Sequence, residues 1–320
     1  MQPVTGSERV TLDTPLGRLV GLRCRPHGGG AAVVRFAAVP YALAPVGERR
    51  FRPPVPAGGW TGERDATAPA LAQPQPRSGP ELVPGMMPTG TGDDSLTLTI
   101  WAPEGAGPRP VMVWIHGGSF TIGAASLPTY DAARLASEGD VVVVAINYRL
   151  GALGWMALDQ HGGREWGAAA NCGLLDQALA LRWVREHIGA YGGDPANVTV
   201  FGESAGGGSI LHLLASPVTR GSFDRAIVQS GATGRTLSAE QSGAVAHVML
   251  EELGYARAEP GLGAKTSDEI VAAQERATVR LFGVAGLLPF HPALDEATIP
   301  ITPLAALQSG DVQGVDLLLG

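Results

Sequence analysis

The chain has 320 residues, 45% of them hydrophobic, which is enough to bury a sizeable core as one large α/β domain or two smaller ones. Its formal charge of −7, from 23 Lys and Arg against 30 Asp and Glu, leaves no basic stripe to neutralise phosphates and argues against a nucleic-acid partner. No window approaches the ~20 consecutive apolar residues of a membrane helix, so no membrane partner is expected. The first residues, "MQPVTGSERVTLDT", lack the charged start and apolar run of a secretion signal. Cys24 and Cys172 are the only cysteines and lie far apart, which suggests neither a disulfide framework nor a metal site and points to a reducing cytoplasm. Lys265 is the only lysine, which together with the many Ala and Gly looks like coding bias, not chemistry.

In chain order, residues 8 to 24 and 31 to 39 read as strands with "HGGG" (27 to 30) as a turn between them. From Pro40 to Gly92 the chain is rich in Pro, Gly and Arg and has little periodicity, and so long a loop is expected to be functional or mobile. Strands follow at 95 to 101, 111 to 115 and 140 to 148, with a helix near 129 to 138. Their near-continuous apolar runs are those of strands buried on both faces. Residues 171 to 189 place Leu174, Leu175, Ala178, Leu181, Val184 and Ile188 at helical spacing, with Gly189 as the stop. Strands at 197 to 201 and 224 to 229, and helices at 204 to 215 and 238 to 253, complete an alternating pattern. That pattern predicts a single α/β domain over 1–320 with a mostly parallel sheet and helices on both faces.

The stretch "NVTVFGESAGGGS" (197 to 209) contains G-x-S-x-G centred on Ser204. With 45 glycines and 15 serines, that pattern is expected about 0.3 times by chance, so its setting has to carry the weight. The setting is a β-branched strand running into an apolar helical pattern, which is what a nucleophile elbow requires. Such a turn strains the serine backbone, and glycines two residues to either side leave room for strand and helix to cross. A phosphate cradle at the helix N-terminus is the other reading, but no ribose-binding acid follows about twenty residues on.

Acyl transfer also needs N–H donors aimed at the oxyanion. "HGGG" at His27 to Gly30 matches a lipase and esterase motif literally, yet it sits between two early strands and reads as a hairpin turn. "HGGSF" at His116 to Phe120 instead follows the buried strand "VMVWI", and Gly118, Ser119 and Ala205 are the expected donors. His116 itself reads as a histidine packing the loop.

These residues resemble those of the type-B carboxylesterases, the group that includes para-nitrobenzyl esterases and cholinesterases. The resemblance runs through "GRLVGL" (17 to 22), "VPYALAPVGERRFRPP" (39 to 54), "DDSLTLTIWAP" (93 to 103), "VMVWIHGGSF", "INYRLGALGW", residues 171 to 209, "RAIVQSG" (225 to 231) and "PALDEATIP". It implies an α/β-hydrolase fold with no cofactor or metal, acting on a small-molecule carboxylic ester. By the resemblance Ser204 is the nucleophile, while Gly117, Gly118, Ser119 and Ala205 form the oxyanion hole. Glu203 and Ser230 support the site from behind, and Leu288 lies on the acyl-pocket wall. Arg50 with Asp93 and Arg149 with Asp176 resemble the family's structural ion pairs. Ser95 stands where many relatives have a cysteine, so the early disulfide of secreted members is not expected.

What takes the proton of Ser204 is less plain. In α/β-hydrolases acid and histidine follow the serine, and only His212, His247 and His291 do so here. His212 lies eight residues along the helix that Ser204 begins, about 12 Å away at 1.5 Å per residue. His247 reads as a surface or packing residue, and His291 would need an acid in an unfamiliar place. The last residues, "GVDLLLG", resemble the family strand that leads to the glutamate of the triad, so acid and histidine are expected beyond residue 320. The alternatives to a serine esterase are a catalytically silent, cholinesterase-like binding protein and an inactive fragment.

Overall fold

The computed structural model of the chain describes residues 8–26, 29–77, 87–105, 107–231, 235–285, 288–310, 312 and 314–320. One ten-stranded sheet organises them. Its strands are β1 (Arg9–Thr14), β2 (Gly17–Cys24), β3 (Val33–Pro40), β4 (Glu63–Asp65), β5 (Thr97–Pro103), β6 (Arg109–Ile115), β7 (Val142–Ile146), β8 (Gly193–Glu203), β9 (Arg225–Gln229) and β10 (Asp316–Leu319). The order across the sheet is β1-β2-β3-β5-β7-β6-β8-β9-β10, with β4 paired to β2. From β1 to β7 these neighbours run antiparallel, and from β7 through β6, β8 and β9 to β10 they run parallel.

The expected single strand over 8 to 24 is in fact a hairpin. Pro15 and Leu16 form its tip, Thr14 pairs with Gly17, and the Thr14 hydroxyl donates to Gly17 O at 2.8 Å. Proline has no N–H to give a ladder, and Gly17 takes a φ of +139 that other residues avoid. The turn expected at "HGGG" falls partly outside the described residues at His27 and Gly28, while Cys24 and Val33 pair antiparallel on either side of it.

The helices are α1 (Ala133–Gly139), α2 (Gly151–Gly154), α3 (Asp159–Gly162), α4 (Cys172–His187), α5 (Ala205–Ala215), α6 (Ala239–Leu253), α7 (Ser267–Ala285) and α8 (Pro303–Ser309). Period-two alternation along the central strands sorts their side chains to two faces. Val142, Val144 and Ile146 of β7, with Val111, Val113 and Ile115 of β6, join the large core cluster that also holds residues of α4, α5 and α6. Val143 and Ala145 point the other way, against Ala133 and Ala136 of α1. Both faces are therefore covered, as the apolar runs predicted. Helices α7 and α8 were not expected. In α7, Ile270, Ala273, Ala277 and Leu281 are fully buried along one helical face, which packs against α6.

Candidate active site

Three parallel strands, β6, β8 and β9, end side by side, with Ile115 opposite Gly202 and Glu203 opposite Gln229. In open α/β sheets the crevice beyond the carboxyl ends of such strands is where ligands sit. Each strand here runs into an unusual backbone: Gly118, Ser119 and Phe120 after β6 have φ of 113, 57 and 60, Ser204 after β8 has 54, and Ser230 after β9 has 51. A non-glycine residue so placed costs about 1 to 3 kcal/mol and persists only where its surroundings enforce it.

The Ser204 turn is enforced by close packing. Its ψ is −118, its N–H donates to Gln229 O at 2.9 Å, and its carbonyl receives the Gly208 N–H at 2.8 Å as α5 begins. A Cβ on Gly206 would lie 2.0 Å from Ile115 O, and one on Gly202 would lie 2.7 Å from the same oxygen. The glycines flanking the serine thus let the helix cross directly over the sheet, as the motif predicts. Ser204 is half-buried, and among the described residues its hydroxyl has no hydrogen-bond partner.

The loop after β6 meets this turn. A Cβ on Gly117 would lie 2.8 Å from Glu203 O and 3.3 Å from Ser204 Cβ. Among the described residues the N–H groups of Gly117, Gly118, Ser119 and Ala205 have no protein acceptor. An unpaired amide is costly when buried, and the first amides of a helix also carry its positive end, so this is a setting that favours an oxyanion. Glu203 and Ser230, expected behind the site, are both exposed. Leu288 is half-buried, two residues before the buried Phe290.

The histidines are occupied elsewhere. His116 Nδ1 donates to Gly117 O at 2.8 Å and its ring stacks on Tyr148 at 4.5 Å. Burial pushes its pKa down to about 4, so it is neutral near pH 7, a packing residue as expected. His212 is likewise lowered to about 4 by burial, with Nδ1 donating to Gly208 O and Nε2 accepting from the Thr236 hydroxyl. His291 is buried beside Phe120, its Nδ1 3.3 Å from Pro292 O. His247 is exposed, stacked on His161 and paired with Glu251 at 3.3 Å.

Both ion pairs expected from the resemblance are present. Arg149 and Asp176 are fully buried, with Nε and Nη2 each bonded to a carboxylate oxygen, and Asp176 holds the guanidinium firmly charged. Arg50 lies 3.5 Å from Asp93. A residue that sequence reasoning missed is Gln75, whose side-chain amide is paired with the backbone of Gly123. It lies in the aperiodic, proline-rich passage, where no pattern in the sequence singles it out.

A profile described as the carboxylesterase family matches residues 8–320. The chain belongs to the carboxylesterase family. The para-nitrobenzyl esterase of Bacillus subtilis (strain 168) is 42% identical over 299 residues, which are 90% of this chain and 58% of that protein. The phenmedipham hydrolase of Pseudarthrobacter oxydans is 39% identical, over 87% of this chain and 56% of its own length. Among solved structures, a thermophilic PNB esterase superposes with a TM-score of 0.85 at 39% identity, covering 97% of this chain and 62% of the other. A carboxylesterase from Geobacillus stearothermophilus superposes at 0.84 with 38% identity, covering 98% and 61%. The fold is therefore the α/β-hydrolase fold of this family, and the chain spans a little over half the length of the curated relatives it matches.

Proposed function

We propose that this chain carries the nucleophile and oxyanion hole of a serine carboxylic-ester hydrolase. Ser204 Oγ attacks the ester carbonyl, its proton passing to a general base as the Oγ–C bond forms. The developing oxyanion is held by the N–H groups of Gly117, Gly118, Ser119 and Ala205. Collapse expels the alcohol, which takes up that proton, and water then releases the carboxylic acid. Glu203 and Ser230 support the turn from the edges of β8 and β9, and Leu288 contributes to the acyl-pocket wall. The observation that carries this reading is the strained turn at Ser204 lying in contact with a loop whose first amides, those of Gly117, Gly118 and Ser119, have no acceptor among the described residues.

A base and an acid are also needed, and His116, His212 and His291 are buried and engaged. We place both in the part of the relatives' length that this chain does not span. In support, Gly320 O accepts from Ser230 N at 2.6 Å, so β10 brings the backbone beside the elbow. The single sheet and its dominant core cluster favour one α/β-hydrolase domain over 1–320, part of a longer catalytic domain. The acidic balance favours a small-molecule ester over a nucleic acid, and the buried free thiols of Cys24 and Cys172 favour a reducing, cytoplasmic setting. The test is hydrolysis of p-nitrophenyl butyrate by the protein expressed from its complete reading frame. Ser204→Ala should lower kcat/KM by about 10³-fold or more, and equal rates for the two proteins would refute the assignment.

A further inference from the structure

The loop proposed to hold the oxyanion is strained and rich in glycine, with Gly117, Gly118 and Gly123 among its seven residues. Gly118, Ser119, Phe120 and Gly123 all have positive φ. Its internal bonds are few: Thr121 N–H and Ile122 N–H both donate to Gly118 O at 3.0 Å. Such a segment has many backbone alternatives once unfolded and needs outside partners to select one.

One outside partner is the Gly151 N–H, which donates to Phe120 O at 2.7 Å, and others come from the aperiodic passage before β5. Gln75 is buried, and its side-chain amide pairs with both backbone groups of Gly123: Gly123 N–H donates to Oε1 at 2.8 Å and Nε2 donates to Gly123 O at 2.9 Å. The second Nε2 proton goes to Gln73 O at 3.0 Å, so both donors of Gln75 are used. Gly123 in turn closes the loop onto its start, since a Cβ there would lie 2.6 Å from Gly117 O and 2.6 Å from His116 Nδ1. A second buried amide, Asn147, joins the same two segments by accepting from Ala125 N–H at 2.8 Å and donating to Leu71 O at 2.9 Å. Gly117, at the other side of the closure, is the residue in contact with Ser204.

We propose that Gln75 is a positioning residue that holds the Gly117–Gly123 loop in register with Ser204, so that its amides meet the oxyanion. The proposal rests on the catalytic reading of Ser204. A misplacement of catalytic donors by about 1 Å costs on the order of 10²-fold in rate, whereas substrate binding elsewhere is unaffected.

The test uses Gln75→Met, which keeps the volume and removes the polar atoms, and Gln75→Glu, which keeps the acceptor but turns an anion toward two carbonyls. Both are made in the protein expressed from its complete reading frame and assayed well below their melting temperatures. Each should lose about 10- to 100-fold in kcat for p-nitrophenyl butyrate with KM changed by less than about 3-fold. Unchanged kcat in either folded variant, or a rise in KM alone, overturns the proposal. Hydrogen exchange of residues 117–123 is read on the same proteins, and it should quicken in both variants while α6 is unchanged. If wild-type turnover does not depend on Ser204, the catalytic reading has failed. Unchanged exchange at 117–123 would then overturn the clamp as well.

Discussion

At residue scale, the role proposed for Ser204 is set against stability. Its backbone occupies a region in which glycine is at ease and serine is not. Ser204→Gly should therefore raise the free energy of unfolding by about 1 kcal/mol, read as a higher urea midpoint with unchanged slope, while ester hydrolysis disappears. Asp176 is the opposite case. Asp176→Asn leaves the fully buried Arg149 guanidinium without its counter-charge and should cost about 3 to 5 kcal/mol, measured in the same way. The turn at Ser204 was legible in the sequence because it needs a particular glycine spacing, and both ion pairs were legible through resemblance. Gln75 was not, because its partner is a backbone 48 residues away and backbone geometry leaves no mark on residue type.

At the scale of elements, the crossing of α5 over β6 leaves the least room against backbone among the described glycines. Gly206→Ala would put a Cβ 2.0 Å from Ile115 O, against nothing within 4 Å at Gly189. The first substitution should cost well over 2 kcal/mol and the second less than about 1. Helix α7 offers a similar contrast: Leu281 is fully buried and Phe282 is 63% exposed. Leu281→Ala should cost about 3 kcal/mol and Phe282→Ala within about 0.5. The buried strands and α4 to α6 were readable because apolar period and element coincide. Helix α7 was overlooked although Ile270, Ala273, Ala277 and Leu281 carry a helical period, since exposed apolar residues such as Val279 and Phe282 blur the stripe. The β1–β2 hairpin was read as one strand because its apolar residues continue past Pro15, and only the missing proline N–H marks the tip.

At the scale of the whole molecule, acid stability follows from the buried histidines. His116 and His212 have folded pKa values of about 4, below the ordinary 6.5, because burial disfavours the charged ring. Between those values the unfolded chain binds more protons than the folded one, so stability is full above pH 6.5 and falls as the pH drops toward 4. Each group contributes up to about 3 kcal/mol to that loss. Urea midpoints from pH 7 to 4.5 should show the decline, and His212→Gln should flatten it. The mixed sheet also accounts for where the proposed chemistry is placed. Its antiparallel half contributes core and support, and its parallel half brings three strand ends, and with them Gly117, Ser204 and Ser230, to one edge.

The most direct test of Ser204 as the nucleophile is covalent capture. The protein expressed from its complete reading frame would be incubated with an alkyl fluorophosphonate and analysed by intact and peptide mass. One phosphonyl group on the peptide carrying Ser204, absent in Ser204→Ala, is the result expected. A folded protein that stays unmodified at Ser204, or is modified at another residue while retaining ester hydrolysis, would contradict it.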